Sequence, residues 1–260
     1  MIVGDLFAGV DAGSATTKAV VVDGAGTVLA NAVLPSGARL AESSARVLEE
    51  ALARAGAHRG RVAAVVSTGY GREMVEGRTR AVTEITCHAR GVQAMMPEAR
   101  GVIDIGGQDS KAIALENGAV RRFEMNDKCA AGTGRFLEVM ARTLEVPLDG
   151  FGPLALESTE PARLSNTCTV FAESEVISLL AQGRAPADIL AGVCRAVAGR
   201  AAALAARVRL SQPCAMTGGV ALNAGVVRYL GEALGFPVVL PAMPQTAGAL
   251  GAALIARDLA

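Results

Sequence analysis

LFAGVDAGSATTKAVVVD, residues 6–23, places a turn rich in glycine and hydroxyl side chains between two apolar, β-branched stretches. The stretches predict two paired strands, at 6–12 and 17–23. The arrangement returns 93 positions later, where Asp104-x-Gly106-x4-Lys111 repeats Asp11-x-Gly13-x4-Lys18. Two copies of one hairpin indicate an internal duplication, and they predict an α/β protein whose two similar halves face each other.

The two predicted turns have the chemistry of a phosphate site. Successive backbone N–H groups in a glycine-rich turn converge on one point and bind anions. Asp11 and Asp104 end the strand before each turn, where a carboxylate suits a hydrated Mg²⁺ or the positioning of an attacking water, so both are catalytic candidates. The candidate phosphate-binding residues are Gly13, Ser14, Thr16, Thr17, Lys18, Gly106, Gly107, Gln108, Asp109 and Lys111. A P-loop motif is absent from the sequence, and no GxGxxG dinucleotide motif follows the first strand.

Periodicity and turn signals predict the remaining elements. Further strands are expected at 27–33, 62–67, 101–105, 110–115, 119–124 and 213–217. Helices are expected near 39–56, 83–96, 133–144, 170–183, 186–209, 220–233 and 246–259. Two glycine motifs, Gly132-Thr133-Gly134 and Thr217-Gly218-Gly219, open predicted helices at points where the backbone can approach a flat ligand closely.

Composition narrows the class of function. Hydrophobic residues make up 51% of the 260 residues and charged residues 19%, which is typical of a globular protein. The net charge is zero and aromatic residues amount to 3%, so we expect neither a nucleic-acid partner nor an anionic membrane surface. The N-terminal stretch has no basic region and every long apolar stretch carries charges, so we expect no signal peptide, no membrane span and a cytoplasmic location.

Of the 25 basic residues only three are lysines: Lys18, Lys111 and Lys128.

Two of the five cysteines, Cys129 and Cys168, immediately precede predicted helices. The helix dipole and the free N–H groups at a helix start favour a thiolate, and they would also stabilise an anionic iron–sulfur cluster. A [4Fe-4S] cluster needs four cysteine ligands, which a symmetric dimer would supply as two from each chain. The spacing alone leaves open that these are two ordinary cysteines at helix starts.

The longer motifs resemble those of a known protein family. Paired DxG hairpins followed by a late strand–GG–helix resemble the actin, Hsp70 and sugar-kinase superfamily. The whole set resembles the activator ATPases of 2-hydroxyacyl-CoA dehydratases over residues 5–258, and the related benzoyl-CoA reductase ATPase subunits share that superfamily. The motifs are GVDAGSATTKAVVVD, STGYGR, DIGGQDSKAI, NDKCAAGTGRFLE, NTCTVFAESEVISLLAQG and TGGVALN.

The resemblance implies two ribonuclease H-like lobes with a nucleotide cleft between them. The first lobe would comprise 1–97 and a C-terminal helix at about 246–260, and the second 98–245, which carries both cluster cysteines. It also implies a nucleotide site that includes residues from the later glycine motifs: Gly132, Gly134, Gly218, Gly219, Val220 and Asn223. Among these, Gly218, Gly219 and Asn223 would flank the adenosine, and residues 247–249 would lie at a hinge.

The same resemblance implies ATP or ADP with Mg²⁺ as ligands, and Cys129 and Cys168 as ligands of one [4Fe-4S] cluster that bridges a homodimer. ATP hydrolysis would drive a low-potential electron into the iron–sulfur component of a dehydratase or reductase. A ferredoxin or flavodoxin would re-reduce the activator. Three alternatives remain at this point: a small-molecule kinase of the same superfamily, an ATPase partner of a benzoyl-CoA-type or double-cubane reductase, and a nucleotide-binding regulator without enzymatic activity.

Overall fold

A five-stranded sheet lies at the centre of each half of the chain. The computed structural model describes residues 5–164 and 168–260. The chain packs as one unit of Met1–Ala99, Leu115–Arg121 and Pro241–Ala260, and a second of Arg100–Ala114 and Arg122–Leu240. The predicted boundaries of the functional lobes, at 97/98 and 245/246, stay a prediction.

The first half has three strands, a helix, two strands and a second helix, and one further helix lies at the C-terminus. They are β1 (Leu6–Ala12), β2 (Thr16–Val22), β3 (Val28–Pro35), α1 (Leu40–Arg54), β4 (Val62–Thr68), β5 (Arg80–Ala81), α2 (Glu84–Met95) and, at the C-terminus, α8 (Ala247–Asp258).

The second half repeats the order of strands and inserts more helices. Its elements are β6 (Gly101–Ile105), β7 (Ser110–Glu116), β8 (Ala119–Asn126), α3 (Gly134–Thr143), α4 (Leu148–Leu156), α5 (Thr169–Ala181), α6 (Pro186–Val208), β9 (Cys214–Thr217), α7 (Ala224–Leu234) and β10 (Val238–Val239).

The two sheets have one topology. The strand order is β3-β2-β1-β4-β5 in the first and β8-β7-β6-β9-β10 in the second. The central strands β1 and β6 are each antiparallel to the next strand in sequence and parallel to β4 and β9, respectively. This repeated order confirms the predicted α/β class with two ribonuclease H-like lobes.

Helices cover both faces of the first sheet, so β1 is buried along its whole length. Leu6, Ala8 and Val10 pack in a cluster with α1, while Phe7 on the opposite face packs in a cluster with α8. α8 approaches β1 so closely that a Cβ on Gly9 would overlap the carbonyl oxygen of Ala249. The strand that carries Asp11 next to its last residue is therefore closely packed on both faces.

α6 is the core helix of the second unit. Within the described residues it is the one helix whose length and hydropathy would suffice to cross a membrane, but 61% of its apolar window is buried inside the protein. Burial of this extent is typical of a helix in the hydrophobic core of a protein. The large apolar cluster of this unit includes Ile189, Val193 and Val197 from α6.

Most predicted elements are present, and the departures have local causes. The expected helix at 220–233 is a 3-10 turn at Gly219–Leu222 followed by α7, because Asn223 caps a new helix. α4 and the two-residue strands β5 and β10 were not predicted. Gly150, Gly152 and Pro153 give α4 the composition of a loop, yet its apolar side chains pack against the core.

Candidate functional site

The first hairpin holds Asp11 in an ion pair at the end of β1. Asp11 and Lys18 are register partners on β1 and β2, and the Lys18 Nζ lies 3.0 Å from Asp11 Oδ2. Both side chains are largely shielded from solvent. Gly13 begins the turn between them, where a Cβ would lie 2.7 Å from the carbonyl oxygen of Thr16 and 3.0 Å from Lys18 Nζ. The turn thus sets a lysine and a carboxylate side by side.

A buried hydroxyl network braces this turn from the other face of β2. The Thr17 hydroxyl is 2.9 Å from the Ser36 hydroxyl, which donates to the Gly13 carbonyl at 2.6 Å. Thr17 is fully buried, whereas Ser14 and Thr16 are partly exposed. Of the predicted phosphate ligands in the first turn, Thr17 is therefore placed to support the turn rather than to face solvent.

The second hairpin repeats this arrangement with a more enclosed lysine. Lys111 Nζ lies 3.3 Å from Asp104 Oδ2 and 2.7 Å from Asp109 Oδ2. The Lys111 side chain is 2% exposed, against 13% for Lys18. The structure thus brings together the predicted Asp104, Asp109 and Lys111. Gln108 lies at the exposed tip of the turn.

A threonine–glycine pair lies beside each aspartate, on the parallel neighbour of the central strand. Thr68 is opposite Asp11, and Thr217 is opposite Asp104. The glycines that follow, Gly69 and Gly218, have φ values of +93° and +88°. A Cβ on them would lie 2.6 Å and 2.9 Å, respectively, from Oδ1 of the adjacent aspartate. Only glycine allows the backbone this close to the carboxylate.

The sequence analysis identified only one of these two threonine–glycine pairs as part of a site. It gave Gly218 to the nucleotide and left Thr68-Gly69, within the STGYGR motif, without a role. The available signal was a Thr-Gly pair after the second parallel strand of each half. Thr217 also donates to Asp104 Oδ1 at 2.9 Å, which fixes the orientation of that carboxylate.

α3 begins directly on the second turn. Gly134 N–H donates to the Gly106 carbonyl and Arg135 N–H to the Gly107 carbonyl, each at 2.8 Å. A Cβ on Gly134 would lie 3.3 Å from the Gly107 Cα. The predicted site residues Gly106, Gly107 and Gly134 are therefore in direct contact. Gly132 instead faces α6, where a Cβ would lie 2.8 Å from the Arg200 Cδ.

The late glycine motif has one residue with a clear structural role. The Asn223 side chain accepts the Val226 N–H at 3.0 Å and so caps α7. Asn223 and Val220 are 9% and 4% exposed, while Gly219 is exposed. Of the residues predicted for the nucleotide site in this motif, Gly219 is thus the one that is exposed to solvent.

The five cysteines fall into two groups. Cys87, Cys194 and Cys214 are buried, and burial raises the pKa of each thiol to about 12. Cys129 and Cys168 are exposed. Cys168 is the N-cap residue of α5, as predicted, but the expectation that Cys129 immediately precedes a helix is wrong. Cys129 lies five residues before α3, because Gly132 has a φ of +100° and turns the chain before the helix starts.

The sequence matches the pattern of the BadF/BadG/BcrA/BcrD ATPase family over residues 8–256. The chain belongs to this family. Membership confirms the resemblance to the activator ATPases, and it means that the paired hairpins are those of an ATPase family.

Similar proteins in the family include dehydratase activators. The activator of lactoyl-CoA dehydratase from Anaerotignum propionicum is 47% identical over 253 residues, which cover 97% of each chain. The crystal structure of (R)-2-hydroxyglutaryl-CoA dehydratase component A from Acidaminococcus fermentans has a TM-score of 0.95 at 43% identity and covers 98% of this chain and 99% of that one. The 2-hydroxyisocaproyl-CoA dehydratase activator of Clostridium difficile with bound ADPNP has a TM-score of 0.93 at 42% identity, covering 98% and 95%.

For this family member we expect Gly218→Ala to be far more damaging than Gly183→Ala. Both glycines have positive φ, but a Cβ on Gly183 meets nothing within 4 Å. The control should therefore lose only about 1 kcal/mol of unfolding free energy. Gly218→Ala adds overlap with the Ile105 carbonyl and Asp104, so we expect a loss of about 3 kcal/mol or more. Urea unfolding measures both, and equal losses would contradict the close packing at Asp104.

Alkylation should separate the two groups of cysteines. In the native, iron-free protein at pH 8 we expect iodoacetamide to modify Cys129 and Cys168 within minutes, while the three buried thiols react only after unfolding. Burial keeps the reagent away from these three thiols. Burial also raises their pKa to about 12, so at pH 8 they stay protonated, whereas the thiolate is the nucleophile. Peptide mass spectrometry counts the modified sites, and rapid native modification of Cys194 would contradict the assignment.

Proposed function

We propose that this chain is an ATP-dependent activator of a 2-hydroxyacyl-CoA dehydratase or of a related iron–sulfur reductase. It hydrolyses ATP and delivers a low-potential electron from a [4Fe-4S] cluster that bridges a homodimer in the cytoplasm. The observation that carries the proposal is that both exposed cysteines lie on segments attached to α3, the helix that starts on the second phosphate turn. The activities named for the similar proteins support it.

ATP or ADP, with Mg²⁺, would bind through its phosphates to both hairpin turns. Lys18 and Lys111 offer ammonium groups beside the turns, and the glycines offer backbone N–H groups. Asp11 and Asp104 fit a hydrated Mg²⁺ or an attacking water, because each is a carboxylate held in place by a lysine at the end of a rigid strand. The exposed Gly219 and its neighbour Gly218 would adjoin the nucleoside. Thr17 and Asn223 would act indirectly, by bracing the turn and by capping α7.

The residues present fit a cluster shared between two chains. Cys129 and Cys168 are the exposed thiols of this chain, and thiolates are the ligands that iron–sulfur clusters use. Among the described residues no group of three or more His, Cys, Asp and Glu could hold a metal ion. Two ligands from each of two copies complete the set of four. Once bound, the cluster would supply one electron at low potential.

A second copy would also cover an exposed apolar face next to Cys168. Val170, Phe171 and Ile177 lie on α5 and are 67%, 62% and 53% exposed. Val170 and Ile177, seven residues apart, lie on one face of the helix, and Phe171 lies about 100° around the helix from Val170. The helix begins immediately after the cysteine. Exposed apolar faces of this kind are typical of protein interfaces, and here a homodimer contact would enclose the thiols.

α3 would couple the nucleotide to both cysteine segments. Its first amides are bonded to the second phosphate turn. Near its C-terminal end, the Thr143 hydroxyl donates to Glu173 Oε1 on α5 at 3.0 Å, and Cys168 is the N-cap residue of α5. A change in phosphate occupancy that shifts the turn would therefore move both cysteine-bearing segments. Nucleotide needs only a different affinity for the two arrangements to drive this change.

The test is an electron-transfer assay with the cognate partner. The iron–sulfur protein that binds this chain is isolated by anaerobic pull-down, and a ferredoxin or flavodoxin, or dithionite, reduces the activator. We expect dehydration or reduction of the partner's acyl-CoA substrate with ATP and Mg²⁺, and at least about 100-fold less with ADPNP, because hydrolysis is required. Equal turnover with either nucleotide would contradict the proposal. A bound acceptor that is phosphorylated instead would favour the kinase alternative.

A further inference from the structure

We propose that Arg200 is a positioning residue that couples Cys129 to the second phosphate turn. This inference deepens the proposed function and rests on it for its redox consequence. Arg200 lies on α6, the core helix, and its guanidinium Nη1 is 3.1 Å from the Ala131 carbonyl oxygen and 3.9 Å from the Cys129 Sγ. One N–H-bearing nitrogen therefore reaches both the backbone of the cysteine loop and the sulfur itself.

The loop is built to admit this arginine. Gly132 has a φ of +100°, and a Cβ there would lie 2.8 Å from the Arg200 Cδ and 3.2 Å from its Cβ. The positive φ and the short distances to Arg200 both favour glycine at position 132, because a side chain there would overlap Arg200. The Cys129 backbone is fixed separately, because the Asn126 side chain donates to its carbonyl at 2.8 Å and accepts its N–H at 3.3 Å. The guanidinium of Arg200 thus contacts the Cys129 sulfur itself, whereas Asn126 binds the Cys129 backbone.

Only a few residues separate this contact from the nucleotide turn. Gly132 packs on Arg200, and Gly134 and Arg135 donate their N–H groups to the carbonyls of Gly106 and Gly107. A shift of the turn pulls directly on the short segment that Arg200 holds against α6. The movement therefore changes the distance between the guanidinium and the Cys129 sulfur.

That distance has an electrostatic consequence. A cation and an N–H donor near a ligand sulfur favour the more negative, reduced state of a cluster, which raises its reduction potential. Withdrawal of Arg200 from Cys129 removes this stabilisation and makes the bound electron more reducing. The ATP-dependent movement of the turn would thus use Arg200 to tune how strongly the electron is held.

The first test uses iron-free protein and does not depend on the cluster. In a Cys168→Ser background the other three thiols are buried, so alkylation reports on Cys129. We expect ADPNP to change the alkylation rate of Cys129 at least threefold. Arg200→Met should remove most of this difference, Arg200→Lys should restore part of it, and Arg207→Met, an exposed arginine of the same helix, should leave it unchanged. Nucleotide affinity, measured in parallel, should stay within twofold of the parent in all three variants.

An undiminished nucleotide effect in Arg200→Met, or none in the parent, would overturn the inference. The second test measures the reduction potential of the reconstituted protein, where Arg200→Met should shift it to more negative values than Arg207→Met does. An unchanged potential in Arg200→Met would overturn the electrostatic role. If the parent binds no iron, the proposed function fails, yet the alkylation result still decides whether Arg200 couples Cys129 to the nucleotide.

Discussion

A Cys129→Ser variant is expected to retain at most a trace of iron after anaerobic reconstitution, while its affinity for ADP stays within about twofold of the parent. Because the cluster would be shared as two ligands from each chain, one substitution removes two of its four thiolates, and a serine hydroxyl does not replace them. Cys129 is exposed and lies in a loop, so its loss should leave the fold and the hairpins intact. Colorimetric iron determination and equilibrium binding of ADP measure the two quantities.

The matched controls are Cys168→Ser, which should behave in the same way, and Cys214→Ala. Cys214 is fully buried on β9, so it cannot reach a cluster that is shared with a second chain. Cys214→Ala should therefore bind iron like the parent, with some loss of stability. Parental iron content in Cys129→Ser would rule out Cys129 as a ligand.

Asp104→Asn is expected to lower the kcat of ATP hydrolysis by about 100-fold or more, since the carboxylate either holds Mg²⁺ or positions the attacking water. The amide keeps the size of the side chain, and its one oxygen can still accept from Thr217. The NH2 group that replaces Oδ2 cannot accept from Lys111, which keeps its ion pair with Asp109, so we expect the fold to survive with some loss of stability. Asp11→Asn should have an effect of the same order. Asp149→Asn, an exposed aspartate at the start of α4, is the matched control and should hydrolyse ATP at the parental rate.

A Mg²⁺ titration of the two variants separates their roles. The aspartate that holds the metal should need a higher Mg²⁺ concentration when it is replaced, whereas loss of the water-positioning aspartate should lower kcat at saturating Mg²⁺ without changing that requirement. Hydrolysis at more than a tenth of the parental rate by both variants would contradict the assignment of these carboxylates to catalysis.

The hairpin repeat could be predicted from sequence because its residues are close together in the chain. Asp11 and Lys18 are seven positions apart, so their strands and turn appear in one motif, and the repeat at Asp104 and Lys111 then predicts the second half. The Thr68-Gly69 pair could not be placed in this way. It reaches Asp11 only through the parallel pairing of β1 with β4, and the corresponding separation is far longer in the second half. Parallel register across such distances is set by packing of the whole sheet.

The segments around Cys129 and Asn223 were predicted less accurately, because local backbone conformation there departs from what the sequence pattern indicates. Cys129 was expected at a helix start, but the segment with the positive φ of Gly132 separates it from α3, and Arg200 provides the N–H near the sulfur. Asn223 caps a helix that the sequence pattern had merged with a 3-10 turn, and its expected place beside a nucleoside stays a prediction. Of the three lysines, Lys18 and Lys111 form the paired hairpin contacts, whereas the Lys128 side chain is 88% exposed.

Native mass spectrometry of the anaerobically reconstituted protein tests most directly the claim that this ATPase carries a cluster shared between two chains. The account predicts a single main species of two chains with four irons and four sulfides, in keeping with one [4Fe-4S] cluster held by Cys129 and Cys168 of each copy. An iron-free dimer with ordinary ATPase activity, or a monomer that holds its own complete cluster, would contradict it.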